Sequence, residues 1–235
     1  MPSASAPDAA PRALPGRLRE ARANDTAVLA AARRVVARDG AASSVADIAH
    51  EAGVGVASIY RRYPTKEALF EALRVEGVRR AADLAASIAP GAGGTGSETG
   101  DAEPGGDAAA PSLVGGFLTR YLVEVDGPIL QPRTAAGSEL SPDLVTASAD
   151  LEIALTTLVE ADQAAKALPA GFTAADVMQL MTRLHPHLPI DADAAADLEA
   201  RYLGLVLLGL RAHAESGQAL PPGPRWESWV DLWRS

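Results

Sequence analysis

Ser44-Val45-Ala46-Asp47-Ile48-Ala49-His50-Glu51-Ala52-Gly53-Val54-Gly55-Val56-Ala57-Ser58-Ile59-Tyr60-Arg61-Arg62-Tyr63-Pro64-Thr65-Lys66-Glu67-Ala68-Leu69 is the stretch that decides the fold. Ser44, with Asp47 three residues on, is the reciprocal capping pattern that opens a helix. Val45, Ile48, Ala49 and Ala52 give that helix one apolar face. Gly53 ends it, because glycine adopts the left-handed conformation in which helices commonly stop, and Val54 plugs the turn. A second short helix runs from about Gly55 to Arg62 with Ile59 as its anchor, and Pro64 stops it. Thr65 then caps a long helix carrying Leu69, Leu73 and Val78.

Upstream, Val28, Leu29, Ala32, Val35 and Val36 recur at helical spacing. They predict a helix over about Asp25–Arg38, ended at Asp39-Gly40. Two short helices joined by a glycine-containing turn and packed on a longer first helix form a helix-turn-helix. The Gly55–Arg62 helix has little besides Ile59 to bury, so Val56, Ala57, Ser58, Tyr60, Arg61 and Arg62 are left to face outward. Small side chains at its start allow close approach to base edges in a DNA major groove. An arginine can form paired hydrogen bonds to guanine, worth roughly 1–3 kcal/mol of discrimination. Ser44, Tyr63 and Lys66 flank the helix with donors suited to phosphates. Arg33, Arg34 and Arg38 read as a solvated helix face.

The runs Val45–Val54 and Ala57–Leu69, above all Tyr60, Tyr63 and Lys66 at their spacing, resemble the TetR family of regulators. Gly55 and Ala57 stand where that family often has serine and glycine. The resemblance implies base contacts from Val56, Ala57, Ser58, Tyr60, Arg61 and Arg62, and phosphate contacts from Ser44, Tyr63 and Lys66. It also implies a double-stranded DNA operator, a homodimer formed by the last two long helices, and a repressor released by a small-molecule effector. A DNA-binding regulator without an effector, controlled by abundance or a protein partner, is the alternative. Tyr121–Leu130 and the closing tryptophans resemble the SbtR-like subgroup.

The whole 235-residue chain fits an all-α fold: 48% of it is hydrophobic, mostly Ala, Leu and Val, and only 4% is aromatic. The expected layout is a disordered tail at 1–20 and a three-helix helix-turn-helix domain with its connecting helix at 21–89. A flexible Gly/Pro-rich linker at 90–111 and a helical effector-binding and dimerisation domain at 112–235 follow. In the last block, Ser141-Pro142-Asp143 starts a helix expected to reach Leu168, and Thr173 with Asp176 caps another. The helix over about 194–214 is apolar nearly all round, which predicts burial on several sides, inside its own domain or partly against a partner. On it, Leu198, Tyr202, Leu205 and Val206 are the expected dimer contacts. Phe117, Tyr121, Met178, Met181 and His185 are the expected ligand-pocket residues, since pockets combine apolar walls with a few polar tips. Trp226, Trp229 and Trp233 share one helical face and are expected to seal the core.

The formal charge of −9 is unevenly spread. Residues 17–80 hold twelve Lys/Arg against eight acids, a net +4, which leaves −13 on residues 81–235. That asymmetry suits a nucleic-acid-binding N-terminal part. With no cysteine, disulfides and thiolate chemistry are excluded. No nucleophile elbow, phosphate loop or metal-ligand spacing occurs, so neither catalysis nor a cofactor is expected, and the isolated His185-Pro186-His187 predicts no metal. Residues 1–16 lack a signal-peptide pattern, and the most apolar run, Tyr202–Leu210, is too short to span a bilayer. A cytoplasmic protein without membrane partners is expected.

Overall fold

The computed structural model describes residues 16–91, 112–124, 140–184, 192–218 and 220–231. Among these residues every regular element is helical, as composition requires. In chain order they are α1 (Gly16–Asp39), a short 3-10 turn (Gly40–Ala42), α2 (Val45–Ala52), α3 (Val56–Arg62) and α4 (Lys66–Ile88). After them come α5 (Leu113–Glu124), α6 (Pro142–Ala164), α7 (Ala174–Leu184), α8 (Ala192–Ser216) and α9 (Trp226–Val230). The chain divides into two compact units between Pro64 and Thr65.

In the first unit α1 packs on α2, and α2 on α3. Val28, Ala31, Ala32, Val35 and Val36 of α1 are buried, as are Val45, Ile48 and Ala49 of α2 and Ile59 of α3. The apolar spacing of the sequence is thus the inner surface of a three-helix unit. Helix α1 begins at Gly16, nine residues before the start expected at Asp25. The run Arg17-Leu18-Arg19-Glu20-Ala21-Arg22-Ala23 consists of strong helix formers with no breaker, so nothing in it ends the helix. Residues 16–20 of the expected tail are therefore helical; residues 1–15 lie outside the described residues, as do 92–111 of the expected linker.

In the second unit α4 lies along α6, and both contact α5. Val75, Val78, Ala81, Leu84 and Ala85 of α4 join Leu144, Leu151, Leu155 and Leu158 of α6 in one core with Phe117, Met178 and Trp229. Full burial of each such large side chain stabilises by roughly 1.5–3 kcal/mol. Polar ties register the helices. Ser141, the N-cap of α6, accepts from Leu144 N at 3.2 Å and donates to Glu71 of α4 at 2.7 Å. Glu71 also pairs with the buried Arg74 at 2.8 Å.

Asp162 is the most consequential of these polar groups. It is 2% exposed, yet its carboxylate accepts from Leu113 N at 2.8 Å, Val114 N at 2.9 Å and Ser112 Oγ at 2.6 Å. An acid near the end of α6 therefore caps the start of α5. It satisfies the orphan N–H groups of Leu113 and Val114, while Ser112 Oγ accepts from Gly115 N at 2.9 Å.

One expectation needs correction. Helix α6 ends at Ala164, four residues before Leu168. Lys166 turns left-handed (φ 58), and Ala167 N and Leu168 N both return to Asp162 O. Within the single chain helix α8 is covered on one side: Leu203 is buried and Leu207 and Leu210 pack on the core, while Leu198, Tyr202, Leu205 and Leu208 are exposed. At the end of the described chain, Trp226 and Trp229 meet with ring centroids 4.6 Å apart. Trp226 Nε1 donates to Ser148 Oγ of α6 at 3.1 Å. Both tryptophans are buried, as sealing residues should be; Trp233 lies outside the described residues.

Candidate nucleic-acid interface

Helix α2 starts on its capping box. Ser44 Oγ accepts from Asp47 N at 3.1 Å, and the Asp47 carboxylate accepts from Ser44 N at 3.2 Å and from the Ser44 hydroxyl. The hydroxyl proton is therefore already committed to Asp47, and a phosphate at Ser44 must compete with it. Gly53 closes α2 in the left-handed conformation (φ 67), with its N–H bonded to Ala49 O and His50 O. The chain can then reverse into Gly55 and start α3, whose N-cap bears no side-chain bond.

Helix α3 buries only Ile59 (2% exposed) and presents Val56 (40%) and Tyr60 (45%) to solvent, with Ala57, Arg61 and Arg62 also exposed. Its two arginines are held differently. Arg61 Nη2 lies 3.2 Å from Ser58 Oγ, one turn back on the same helix. Arg62 Nη2 lies 2.8 Å from Asp25 Oδ2 of α1. Tyr63, the C-cap of α3, donates its N–H to Ile59 O at 2.7 Å and is half-buried. Burial pushes its phenol above the usual range, the Asp25 charge adds to that, and a hydrogen bond with Arg62 opposes it. Where these side chains meet, a notch of about 250 Å³ opens, floored by Val28 and Ile59.

A second ion pair braces α2. Arg34 Nε of α1 donates to Glu51 Oε1 at 2.8 Å, and that hydrogen bond holds the Glu51 carboxyl below its usual range. Asp25 and Glu51 were not singled out in the sequence. Each lies 17 or more residues from its arginine, and only the opposite charges on neighbouring helices signal the pairing.

The first unit thus brings Val56, Ala57, Ser58, Tyr60, Arg61, Arg62 and Tyr63 together on one short helix, with Ser44 at the head of α2. Lys66 opens α4 and belongs to the second unit, where its Nζ sits 5.2 Å from the Phe70 ring centroid. Of the expected pocket residues, Phe117, Tyr121, Met178 and Met181 are buried together in the core of the second unit, with the Phe117 and Tyr121 rings 5.9 Å apart. His185 lies outside the described residues. Elsewhere in that unit an open cleft of about 490 Å³ is lined by Glu152, Val159, Gln163, Phe172, Trp226 and Glu227. Burial, and then the Glu227 charge, push the Glu152 carboxyl upward. Of the expected dimer contacts, Leu198, Tyr202 (54%) and Leu205 (53%) are exposed along one face of α8, and Val206 is half-buried beside them. Among the described residues no three His, Asp or Glu side chains cluster as metal ligands, and no helix is long and apolar enough to cross a membrane.

Residues 28–73 match the model of the tetR family of bacterial regulatory proteins. Among solved structures, a TetR transcription regulatory protein from Mycobacterium vanbaalenii is similar at 24% identity and a TM-score of 0.54, over 83% of this chain and 99% of that one. A TetR transcriptional regulator from Streptomyces coelicolor is similar at 26% identity and a TM-score of 0.49, over 80% of this chain and 98% of that one. No curated protein matches the chain. The Mycobacterium structure shares the fold; the matched residues run from inside α1, through the capped α2, the Gly53 turn and α3, into α4. Through those residues the chain carries a helix-turn-helix similar to that of the tetR family of bacterial regulatory proteins.

Proposed function

We propose that the chain is a cytoplasmic homodimeric repressor whose α3 enters the major groove of an operator and which a small-molecule ligand releases. The observation that carries the DNA-reading part is α3 itself. A seven-residue helix with one buried side chain has been left with its small and basic residues outward. In this reading Val56, Ala57, Ser58, Tyr60, Arg61 and Arg62 form the face of α3 turned toward the DNA, with base contacts drawn from among them, while Ser44, Tyr63 and Lys66 take phosphates. The DNA-binding domain comprises residues 21–89, and residues 112–235 form the effector-binding and dimerisation domain, SbtR-like in character.

Dimerisation is supported by α8. Leu198, Tyr202 and Leu205 follow one another at spacings of four and three, the pattern of a helix-pairing seam, and are exposed in the single chain. Two copies of α3 in such a dimer would lie about one DNA turn, roughly 34–36 Å, apart. For the ligand, Phe117, Tyr121, Met178 and Met181 are packed among other core side chains. That packing favours the alternative of a regulator without an effector, or an effector seated elsewhere. The open cleft beside Trp226 has a volume in the range that small molecules occupy. The −13 charge of residues 81–235 disfavours a polyanionic effector.

The test is selection of binding sites from random duplex DNA with the full chain. A recovered palindrome supports a dimeric reader, and Lys66→Ala should then weaken all sequences alike, as loss of a phosphate contact does. Failure to enrich any sequence at modest salt sinks the proposal for α3. If operator affinity stays constant across a panel of small molecules that bind the protein, the ligand-release part is lost and the effector-free alternative stands.

A further inference from the structure

We infer that Asp25 is a specificity-determining residue outside the recognition helix: it draws Arg62 back toward α1 and leaves Arg61 as the arginine of α3 that reads a base. The inference rests on the reading of α3 as the groove-entering helix.

Helical geometry separates the two arginines. At about 100° per residue, Ala57 and Arg61 sit about 160° from the buried Ile59, directly opposite the core, whereas Arg62 sits only about 60° from it. Arg61 therefore projects from the centre of the outward face, where its partner Ser58 Oγ also lies on α3 and travels with it into the groove. Arg62 leaves from the flank. Its guanidinium meets the Asp25 carboxylate at 2.8 Å, and Asp25 is only 26% exposed, in the notch above Val28 and Ile59.

An exposed ion pair is individually weak, so the Arg62 side chain alone would exchange readily between Asp25 and a DNA phosphate. The carboxylate makes that exchange unfavourable in a second way, because a phosphate drawn to Arg62 must approach a fixed negative charge. Asp25 thus lowers affinity for every duplex alike, while the bond of Arg61 to guanine is gained only at the right base. The result is a larger ratio of specific to non-specific binding from the same short helix.

The test uses the full chain with Asp25→Asn, Asp25→Ser, Arg61→Ala, Arg62→Ala and the double variant Asp25→Asn/Arg62→Ala, each checked for an unchanged melting profile. Arg61→Ala is expected to relax one base position in the selected site, and Arg62→Ala to leave the base preferences as in wild type. Both Asp25 variants should bind random duplex DNA about three- to tenfold more tightly, with the log–log salt slope steeper by about one as Arg62 gains a phosphate. That gain should vanish in the double variant. A base position relaxed by Arg62→Ala, or a gain that survives loss of Arg62, overturns the assignment. If wild type selects no sequence at all, the reading of α3 falls first and takes this inference with it.

Discussion

Gly223 shows how a single missing methyl group can set the end of a helix. A Cβ built there would lie 2.9 Å from Asp176 Oδ2, 3.0 Å from Thr173 Cγ2 and 3.2 Å from Gly171 O. Thr173 and Asp176 are the capping pair of α7: the threonine N–H and hydroxyl both donate to the Asp176 carboxylate at 2.8 Å. Gly223→Ala should therefore push the pair apart and cost about 1–3 kcal/mol, the usual range for an added methyl in a packed site, read as a lower urea midpoint with an unchanged slope. Glu152 offers a test with a sign. Its carboxyl is raised by burial and by Glu227, so the folded state holds its proton more tightly than the unfolded one. Stability then falls as pH rises from the unfolded value, about 4.3, through the folded one, and at neutral pH the ionised group is unfavourable. Glu152→Gln should raise the melting temperature at pH 7, by an amount that shrinks to nothing as the pH is lowered to about 4. An equal gain at both pH values would point to packing instead of charge.

At the scale of elements, the tertiary cap on α5 makes the clearest prediction. Asp162→Ala leaves the part-buried N–H of Leu113 and the buried N–H of Val114 without their acceptor, and an unsatisfied buried donor costs about 1–3 kcal/mol. A loss of about 3 kcal/mol in denaturant unfolding is expected; less than about 1 kcal/mol would mean that water replaces the carboxylate without loss. The same element explains what the sequence hid. Ser44, Gly53, Thr65, Ser141 and Thr173 are local signals, and α2, α3, α4, α6 and α7 begin or end where those residues place them. At α5 the local cap, Ser112 Oγ accepting from Gly115 N at 2.9 Å, covers only part of the helix start, and the acceptor for Leu113 N and Val114 N lies 48 to 49 residues further on. The start of α1 at Gly16 has no capping residue to mark it, and the Asp25–Arg62 pair joins residues that are adjacent only after α1 and α3 have packed. The outward face of α3 was legible from the isolation of Ile59, but the different tethering of Arg61 and Arg62 was not.

For the whole molecule, composition alone could not say which side of α8 is covered. Leucines all round imply burial only if something is there to bury them, and the single chain leaves Leu198, Tyr202, Leu205 and Leu208 open. On the dimer reading, Leu205→Glu places a charge in the seam. Analytical ultracentrifugation should then show a monomer, and affinity for a two-half-site operator should fall by at least tenfold, about 1.4 kcal/mol or more. A variant that stays dimeric with operator affinity intact would move the interface elsewhere.

The carboxylate that caps α5 also bears on the order in which the second unit assembles. Helix α5 has twelve residues with Gly115 and Gly116 in its first turn, a sequence too short and too flexible to hold helical form unaided in water. Beyond the local bond from Gly115 N to Ser112 Oγ, its N-terminal stabilisation arrives when the end of α6 is brought back across 48 to 50 residues of chain, a closure whose entropy is lost before any reward is collected. Helix α5 should thus be a late arrival on the folding pathway. The destabilisation caused by Asp162→Ala should then appear almost wholly as faster unfolding, with the refolding rate scarcely changed.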